Sequence, residues 1–468
     1  MPAEFFRSLC GAIARISRDA GGAAATILVI ALPGMIGVGA LGAEAGVWFA
    51  IKLQNQSAAD SAAISAAYEV IAGRTDAAGE LTAAADEAAR RNGYKGITPV
   101  VVYPYGDGSI SEGISVTLQQ SQGAFLAAMF LPSVTITSTA VAVIEILDTP
   151  CILALGKTGS GVEIAAAVRL EMPNCSAVAN SIGSTAIELD GSTSSIGAAT
   201  LVTAGEVSLS GTPIDPAVPS PQFLLSSPAL IGAPTVADPY AGVLTHSFLT
   251  AAMPKTARCR SSKIGGVRIY SGNCVLPGSS LSQTKLKLSA SMQISGDWAI
   301  VAGQTVDLSP GTYWITGNFD LQSGAVIECS SCSNAQGTGV TLILATQTNK
   351  VGALSIAANA TLNLNAPRSG QFAGLVIVQD SNNLPSGTGF TSNQSAIGGT
   401  AGSSLNGLIY FPLSSLTFRG NPSPTGPKCL LLVSSSLKID AASNLDTMGC
   451  AAAGLTRLPS VSKVALAA

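Results

Sequence analysis

The most apolar stretch of the chain runs from Gly21 to Ile51 and contains one ionisable residue, Glu44. At a rise of about 1.5 Å per residue, a helix of this length exceeds the roughly 30 Å hydrocarbon core of a bilayer. The pattern therefore predicts a transmembrane helix over residues 21–51. The A-x-A shape at Ala43–Ala45 would also suit a cleaved signal peptide, but signal peptides have a shorter apolar core of about 7–15 residues. This favours an uncleaved anchor.

Charges on either side of the run predict its orientation. Arg7, Arg15 and Arg18 precede it, whereas only Lys52 directly follows it. Because cytoplasmic flanks are enriched in Lys and Arg, residues 1–20 are expected to form a cytoplasmic tail. Everything beyond Lys52 is then expected to lie outside the cytoplasm, on a single-pass anchor.

Beyond the anchor, the spacing of apolar residues predicts a small α+β stalk module over residues 52–148. Alanine pairs recur every four residues from 58 to 67, which makes one helical stripe, and alanine is the best helix former. A second helix is predicted over residues 77–91. Three segments of strand composition follow, at residues 97–105, 110–119 and 134–146.

From residue 149 the chain is dominated by Gly, Ser, Thr, Val and Leu, which favours short strands with small-residue turns. In this region, short motifs recur in which an apolar residue is followed by turn-forming residues. Two pairs of motif starts, Leu189 with Leu209 and Ile294 with Ile315, are 20 and 21 residues apart. This period suits one coil of a parallel β-solenoid, and a β-sandwich is the alternative architecture.

The predicted fold class is therefore α+β with one N-terminal transmembrane helix and a C-terminal mostly-β domain over residues 149–455. Prolines cluster between residues 212 and 254, where no periodic pattern survives, and this stretch is predicted to be a surface excursion. Residues 456–468 have little to pack against and are predicted to be a frayed tail.

Nine cysteines divide between the two predicted sides of the membrane. Cys10 lies in the cytoplasmic tail and eight lie beyond the anchor, an even number that fits four disulfides in an oxidising space. The sequence leaves connectivity open, and pairing of neighbours in chain order is our guess because it closes only small loops. The structural disulfide candidates are Cys151, Cys175, Cys259, Cys274, Cys329, Cys332, Cys429 and Cys450.

The composition argues against several classes of function. Only 11% of residues are charged, 50 of 468 are glycine and the mean hydropathy is +0.43, unlike a cytosolic enzyme. With a net charge of −3 and no basic domain, the chain lacks the sequence features that are typical of nucleic-acid-binding proteins. His246 is the single histidine, and no G-x-S-x-G motif accompanies it. We therefore predict no enzyme, with no catalytic residues, cofactor or metal site.

A second class of function stays open as the alternative. Parallel solenoids also occur in carbohydrate-active proteins, and Asp297, Asp307 and Asp320 are the candidate acids here. Their spacings of ten and thirteen do not stack at one coil repeat, whereas glycoside cleavage needs paired carboxylates. The alternative is thus a surface-exposed carbohydrate-binding or carbohydrate-active β-solenoid on a membrane anchor.

One face of the predicted anchor suits helix packing. Gly42 and Gly46 lie four residues apart on either side of Glu44, a small-xxx-small pattern that lets another helix approach closely. Glu44 can be an interfacial charge that reaches water or a polar contact with a neighbouring membrane helix. The sequence does not decide between the two.

The N-terminal region resembles that of TadG-like proteins of the tight-adherence (Flp) pilus system. The shared features are an Arg-rich start, a Gly-led apolar helix with Ala31-Leu-Pro33, the set Glu44, Gly46 and Trp48, and the block Leu53-Gln-Asn-Gln-Ser-Ala-Ala-Asp60. The resemblance covers residues 15–147, and a looser one extends into the β-rich part with Cys151-Ile-Leu-Ala-Leu155. Family members more often carry Asp where Glu44 stands.

That resemblance implies a structural or assembly component of a pilus, anchored in the inner (cytoplasmic) membrane with its C-terminal domain extracytoplasmic. The implied partners are other pilus-assembly or pilin-like membrane proteins and the lipid bilayer, with no nucleic acid. Related pilin-like proteins that are cut by prepilin peptidase carry Gly followed shortly by Glu at the helix start. Here Gly21 and Gly22 are followed by Ala23-Ala-Ala-Thr26, which argues against such processing.

Overall fold

The structure is a computed structural model of the 468-residue chain. It describes residues 22–71, 74, 76, 79–106, 113–125, 128, 132–216, 220–255, 258–289, 291–333, 335–345, 351–380, 395–398, 404–419, 429–455 and 461–467. The predicted cytoplasmic tail lies outside the described residues. The chain is mostly β and divides into two compact units, the first comprising Met1–Glu145 with Lys463–Ala468 and the second Ile146–Ser462.

The longest helix, α1 (Gly22–Ile71), contains both the apolar run and the alanine stripe in one continuous element. It is followed by α2 (Glu80–Arg91), by the short α3 (His246–Thr250) and by a 3₁₀ turn at Gly278–Ser280. Within the part of the chain that is described, no helix combines the length and the apolarity that a membrane crossing requires.

The strands are short except for two long ones in the first unit and two near the end of the second. In chain order, the first half of the strands are β1 (Val100–Tyr105), β2 (Gly113–Gly123), β3 (Ser133–Asp148), β4 (Ile152–Ala154), β5 (Val162–Ile164), β6 (Arg169–Met172), β7 (Ala177–Ala179), β8 (Ile187–Leu189), β9 (Ser195–Ala198), β10 (Leu201–Thr203), β11 (Val207–Leu209), β12 (Thr212–Ile214), β13 (Phe223–Leu225), β14 (Leu230–Ile231), β15 (Arg260–Ile264) and β16 (Val267–Ser271). The second half are β17 (Cys274–Pro277), β18 (Lys285–Ser289), β19 (Met292–Ser295), β20 (Trp298–Ile300), β21 (Thr305–Leu308), β22 (Gly311–Ile315), β23 (Phe319–Leu321), β24 (Val326–Glu328), β25 (Val340–Leu344), β26 (Leu354–Ile356), β27 (Thr361–Asn365), β28 (Leu375–Gln379), β29 (Ser395–Gly398), β30 (Ser404–Arg419), β31 (Leu430–Ile439), β32 (Ser443–Asn444) and β33 (Val461–Leu466).

The alanine stripe of α1 is the core of the first unit. Its six alanines have no exposed surface, and they pack with α2 and with the sheet of β1, β2 and β3. Because alanine side chains are small, the helix backbones and the sheet can approach closely. The buried alanines are Ala58, Ala59, Ala62, Ala63, Ala66 and Ala67.

The C-terminal segment differs from the frayed tail that the sequence predicts, since β33 lies beside β3 in the sheet of the first unit. The amide of Ala467 donates to the Val141 carbonyl at 2.8 Å, and Lys463 forms an ion pair with Glu145 at 2.9 Å. In these two contacts, the higher residue number of the C-terminal segment is paired with the lower residue number of β3. The two strands are therefore antiparallel. The second unit is therefore inserted between two neighbouring strands of the first.

The second unit is built from parallel ladders. Every strand from β18 to β27 pairs in parallel with the strand three places later. The central ladder is β17, β19, β22, β25, β28, β30, β31, β4, β7, β10 and β14. The second ladder is β20, β23, β26, β29, β30, β31, β5, β8 and β11, and the third ladder is β15, β16, β18, β21, β24, β27 and β30.

The register places the repeated motifs directly beside each other. Leu189 pairs with Leu209, and Ile294 pairs with Ile315. Their side chains belong to one continuous apolar core that also contains the ring of Trp298 against that of Phe319. The apolar residue of each motif is thus a core position, as its spacing predicts.

Chain order and stacking order differ in this unit. The late strand β31 pairs in parallel with the early strands β4 and β5, so the strands of residues 152–231 stack beyond those of residues 274–439. The proline-rich excursion connects the two ends of the stack. Its residues Tyr240, Leu244 and Leu249 are buried over the central ladder, where Trp314 donates its indole N–H to the Leu249 carbonyl at 2.7 Å. The excursion is therefore a packed cover.

Four disulfides join the eight cysteines of the second unit, with each cysteine bound to its neighbour in chain order. This is the connectivity expected from the sequence. Cys151 immediately precedes β4, and Cys429 immediately precedes β31. Two of the four disulfides therefore flank the pairing of the early and late strands.

We expect the Cys151→Ser/Cys175→Ser variant to lose about 3 kcal/mol of unfolding free energy, because this disulfide spans 24 residues. The Cys329→Ser/Cys332→Ser variant is the matched control and should lose less, because its disulfide spans 3 residues. Urea unfolding followed by circular dichroism measures both. Equal shifts of the two unfolding midpoints would contradict the dependence on loop length.

Candidate functional site

The part of α1 between residues 31 and 53 exposes large apolar side chains over most of its circumference. At 100° per residue, the exposed positions cover about two-thirds of the helix surface, and the buried Glu44 lies in the remaining sector. Met35 and Val38 are about three-quarters exposed. So wide an apolar surface is typical of a helix in a buried environment, either a protein core or a bilayer. The exposed residues are Leu32, Met35, Val38, Leu41, Val47, Phe49 and Leu53.

Gly42 and Gly46 lie on this exposed part of α1. A Cβ atom added at either position would meet no atom of the described chain within 4 Å. The small-residue face predicted from the sequence is therefore open, and nothing within the described residues fills it. Such a face can receive another helix at close range.

Glu44 has a partner that sequence reasoning missed. Its side chain is buried, with 8% of the residue exposed, and its Oε1 atom accepts a hydrogen bond from the backbone N–H of Phe125 at 2.5 Å. Phe125 lies just after β2 and is itself 88% exposed. A charge-assisted bond to a backbone N–H satisfies the carboxylate, so Glu44 ties α1 to the end of this strand.

The one histidine of the sequence, His246, links the excursion to the residue that follows β28. His246 begins α3, which Thr245 caps by accepting from the Phe248 amide at 3.3 Å. The Nδ1 atom of His246 lies 2.6 Å from Oδ2 of Asp380. Asp380 directly follows β28, and its side chain is fully buried. The imidazole side chain is 39% exposed. This pair joins the excursion to the central ladder, and the sequence offered no signal for it because the two residues are 134 positions apart.

A groove of about 640 Å³ lies in the second unit at the starts of β22 and β25. Two aromatic side chains beneath it, Trp314 and Phe372, are almost fully buried, so neither presents a ring face to a ligand. The polar groups of the lining are hydroxyls and amides: Asn273, Ser291, Thr312, Thr338, Ser369 and Gln371. Neutral hydrogen-bonding groups of this kind suit a neutral polar ligand.

The three candidate acids of the carbohydrate-active alternative have separate structural partners. Asp307, in the third ladder, pairs with Lys287 at 2.7 Å and accepts from Ser330, whereas Asp297 accepts the Asn318 amide at 2.7 Å. Burial raises the pKa of Asp307, but the bonds from Lys287 and Ser330 outweigh it and hold the pKa below its usual range. Asp320 lies in the second ladder.

Asp307 therefore lies in a different ladder from the other two acids, since Asp297 directly precedes β20 and Asp320 lies in β23, the strand that pairs with β20. Across the described residues, no cluster of three His, Cys, Asp or Glu side chains could hold a metal ion.

No protein-family model, curated protein or solved structure matches this chain. The likeness to TadG-like proteins therefore stays a prediction from sequence.

Replacing Glu44 by Ala is expected to raise the hydrogen-exchange rate of the Phe125 amide at least about tenfold, because the amide loses a charge-assisted acceptor worth about 1.5–3 kcal/mol. Glu44→Gln keeps a carbonyl acceptor and should have a smaller effect. Glu87→Ala is the matched control, since that carboxylate forms an exposed ion pair with Arg91. Unchanged exchange at Phe125 in Glu44→Ala would show that the bond does not hold this strand end.

Proposed function

We propose that this chain is a membrane-anchored structural or assembly component of a tight-adherence (Flp) type pilus, acting through protein–protein interaction. The observation that carries the proposal is the exposed part of α1. Its exposed apolar side chains cover most of its circumference, and its open small-residue face at Gly42 and Gly46 suits a partner helix.

The anchoring part of the proposal rests on the sequence of residues 21–51. The side chains of residues 22–30 lie outside the described residues. The described remainder exposes apolar side chains over about two-thirds of the helix circumference, which a single docked helix would cover only in part. A bilayer surrounds a helix on every side and therefore suits this surface better. The N-terminus would be cytoplasmic, and the chain beyond Lys52 would be extracytoplasmic, on an anchor in the inner membrane.

We further infer that the ladders of the second unit form one parallel β-solenoid. The pairing of each strand with the strand three places later supports three strands per coil. A β-sandwich is built from antiparallel strands, whereas antiparallel pairs among the described strands of this unit are limited to the hairpins β11–β12 and β15–β16.

In the proposed mechanism, each unit has a distinct binding role. The exposed part of α1 binds partner helices through its small-residue face, and the buried alanine stripe with its sheet stiffens the base of the chain. The second unit supplies an extended outer surface that four disulfides brace in an oxidising compartment. The groove favours the competing function, binding of a neutral carbohydrate, since its polar lining is made of hydroxyls and amides.

Deleting the coding region is expected to abolish surface pili and adherence, and full-length protein should restore both. A Gly42→Ile/Gly46→Ile variant should fold but fail to restore pili, because the added side chains fill the open face. Gly37→Ile is the matched control, because Gly37 is equally open but points to the opposite side of α1. Electron microscopy of surface pili is the measurement.

A second complementing chain tests the β-rich unit. It joins Asp148 to Val461 through a two-residue Asn-Gly turn, which keeps β33 beside β3. If this shortened chain does not restore pili, the second unit is required for assembly. Normal piliation in the deletion strain would contradict the assembly role. Retention of the purified chain on immobilised neutral glycans would then favour the alternative.

A further inference from the structure

Charge is separated along the second unit. Residues 170–254 contain six acidic residues and no Lys or Arg, whereas residues 239–296 contain seven Lys or Arg and no Asp or Glu. In a chain with a net charge of only −3 and few charged residues, this separation is pronounced. The seven basic residues are Lys255, Arg258, Arg260, Lys263, Arg268, Lys285 and Lys287.

Charges of opposite sign lie at the two ends of the stack of ladders. Five of the basic residues belong to β15, β16 and β18, the first three strands of the third ladder, and the other two precede β15. Two of the acidic residues, Glu206 and Asp215, flank the β11–β12 hairpin where the second ladder ends, whereas Asp238 contacts Tyr410 in the middle of the stack. The unit therefore has a basic end and an acidic end.

Within the described residues, Lys287 is the one basic residue of this end that forms an ion pair, with Asp307 at 2.7 Å. All five residues of β15 are exposed, and among the described strands β15 pairs with β16 alone. Lys263 lies directly opposite Arg268, a like-charge pair that is unfavourable. The Nε atom of Arg268 is buried without a hydrogen-bond partner in the described chain. An anionic surface placed here would relieve the repulsion between Lys263 and Arg268.

The acidic end has the complementary surface. Glu206 and Asp215, on either side of the β11–β12 hairpin, are both exposed. Leu224 in β13 and Ile231 in β14 are 50% and 42% exposed, and at the basic end Ile264 is 66% exposed. Each end thus combines an apolar residue with one sign of charge.

The chain enters and leaves the second unit away from both ends of the stack. The chain enters the unit just before β4, whose neighbours in the central ladder are β31 and β7. Before it leaves the unit, Leu455 packs against Gly374, which directly precedes β28. Both points lie in the middle of the stack, away from its first and last strands.

We propose that the second unit binds head to tail to the same unit of a second copy of this chain, basic end against acidic end. Such a contact uses two different surfaces, so it repeats and forms an open row of copies. Side chains make the contact rather than a continuous ladder, because Pro213 removes a backbone donor from the terminal strand β12. This association is independent of the proposed pilus role.

Analytical ultracentrifugation of the full chain in detergent tests the association. Because screening shortens the reach of charges from about 10 Å at 0.1 M salt to about 3 Å at 1 M, the mass should rise with protein concentration at low salt and fall to one copy at high salt. Arg260→Glu/Lys263→Glu, which reverses both charges of the exposed strand β15, should weaken association at least about tenfold. Glu206→Lys/Asp215→Lys, which reverses the two exposed charges beside the β11–β12 hairpin, should do the same. Lys157→Glu, exposed between β4 and β5, is the matched control and should associate normally.

Mixing the two double variants is the decisive step. The reversed charges of β15 in one variant then meet the reversed charges beside the β11–β12 hairpin in the other, so association should return in the mixture. Association of either double variant alone at the wild-type level would overturn the proposal, as would failure of the mixture to associate. A wild-type chain that stays single at low salt would also overturn it, and binding of dextran sulfate by that chain would identify a polyanion as the occupant of the basic end.

Discussion

Parallel pairing between β31 and the early strands β4 and β5 is the contact on which the second unit depends. Leu432 lies beside Ile152, and Lys438 lies beside Glu163 with an ion pair between their side chains. The hydrogen bond to Glu163 raises the pKa of Lys438 and keeps it charged. Contacts this distant in sequence form late, because loop closure must precede them. Without this pairing, the early and late halves of the unit would be two separate, shorter stacks.

Because the early strands stack beyond the late ones, the chain needs a long connection between them, and the excursion is that connection. A connection must run from the end of the early strands to the start of the late ones, and it passes over the central ladder. The central strands therefore bury apolar side chains on both faces, as β25 and β28 do throughout. Tyr410 in β30 donates to Asp238 of the excursion at 2.7 Å, and burial raises the pKa of the phenol further, so the donor stays protonated.

Local periodicity predicted much of this fold. The alanine spacing identified the core of the first unit, and the spacing of Leu189 to Leu209 identified strands that do pair. The contacts that the sequence did not predict are non-local. The Glu44–Phe125 bond and the return of β33 to the first sheet each join residues far apart in the chain. The excursion shows no period because its side chains follow the surface beneath it rather than a regular backbone.

The most direct test of the proposed anchor is labelling with a membrane-impermeant maleimide on intact spheroplasts. Cys10 is the one cysteine outside the four disulfides, and Lys95→Cys supplies an exposed thiol in the first unit. The account predicts that Lys95→Cys is labelled at once and Cys10 only after the membrane is permeabilised. Labelling of Cys10 on intact spheroplasts, or protection of the thiol at position 95, would contradict the proposed topology.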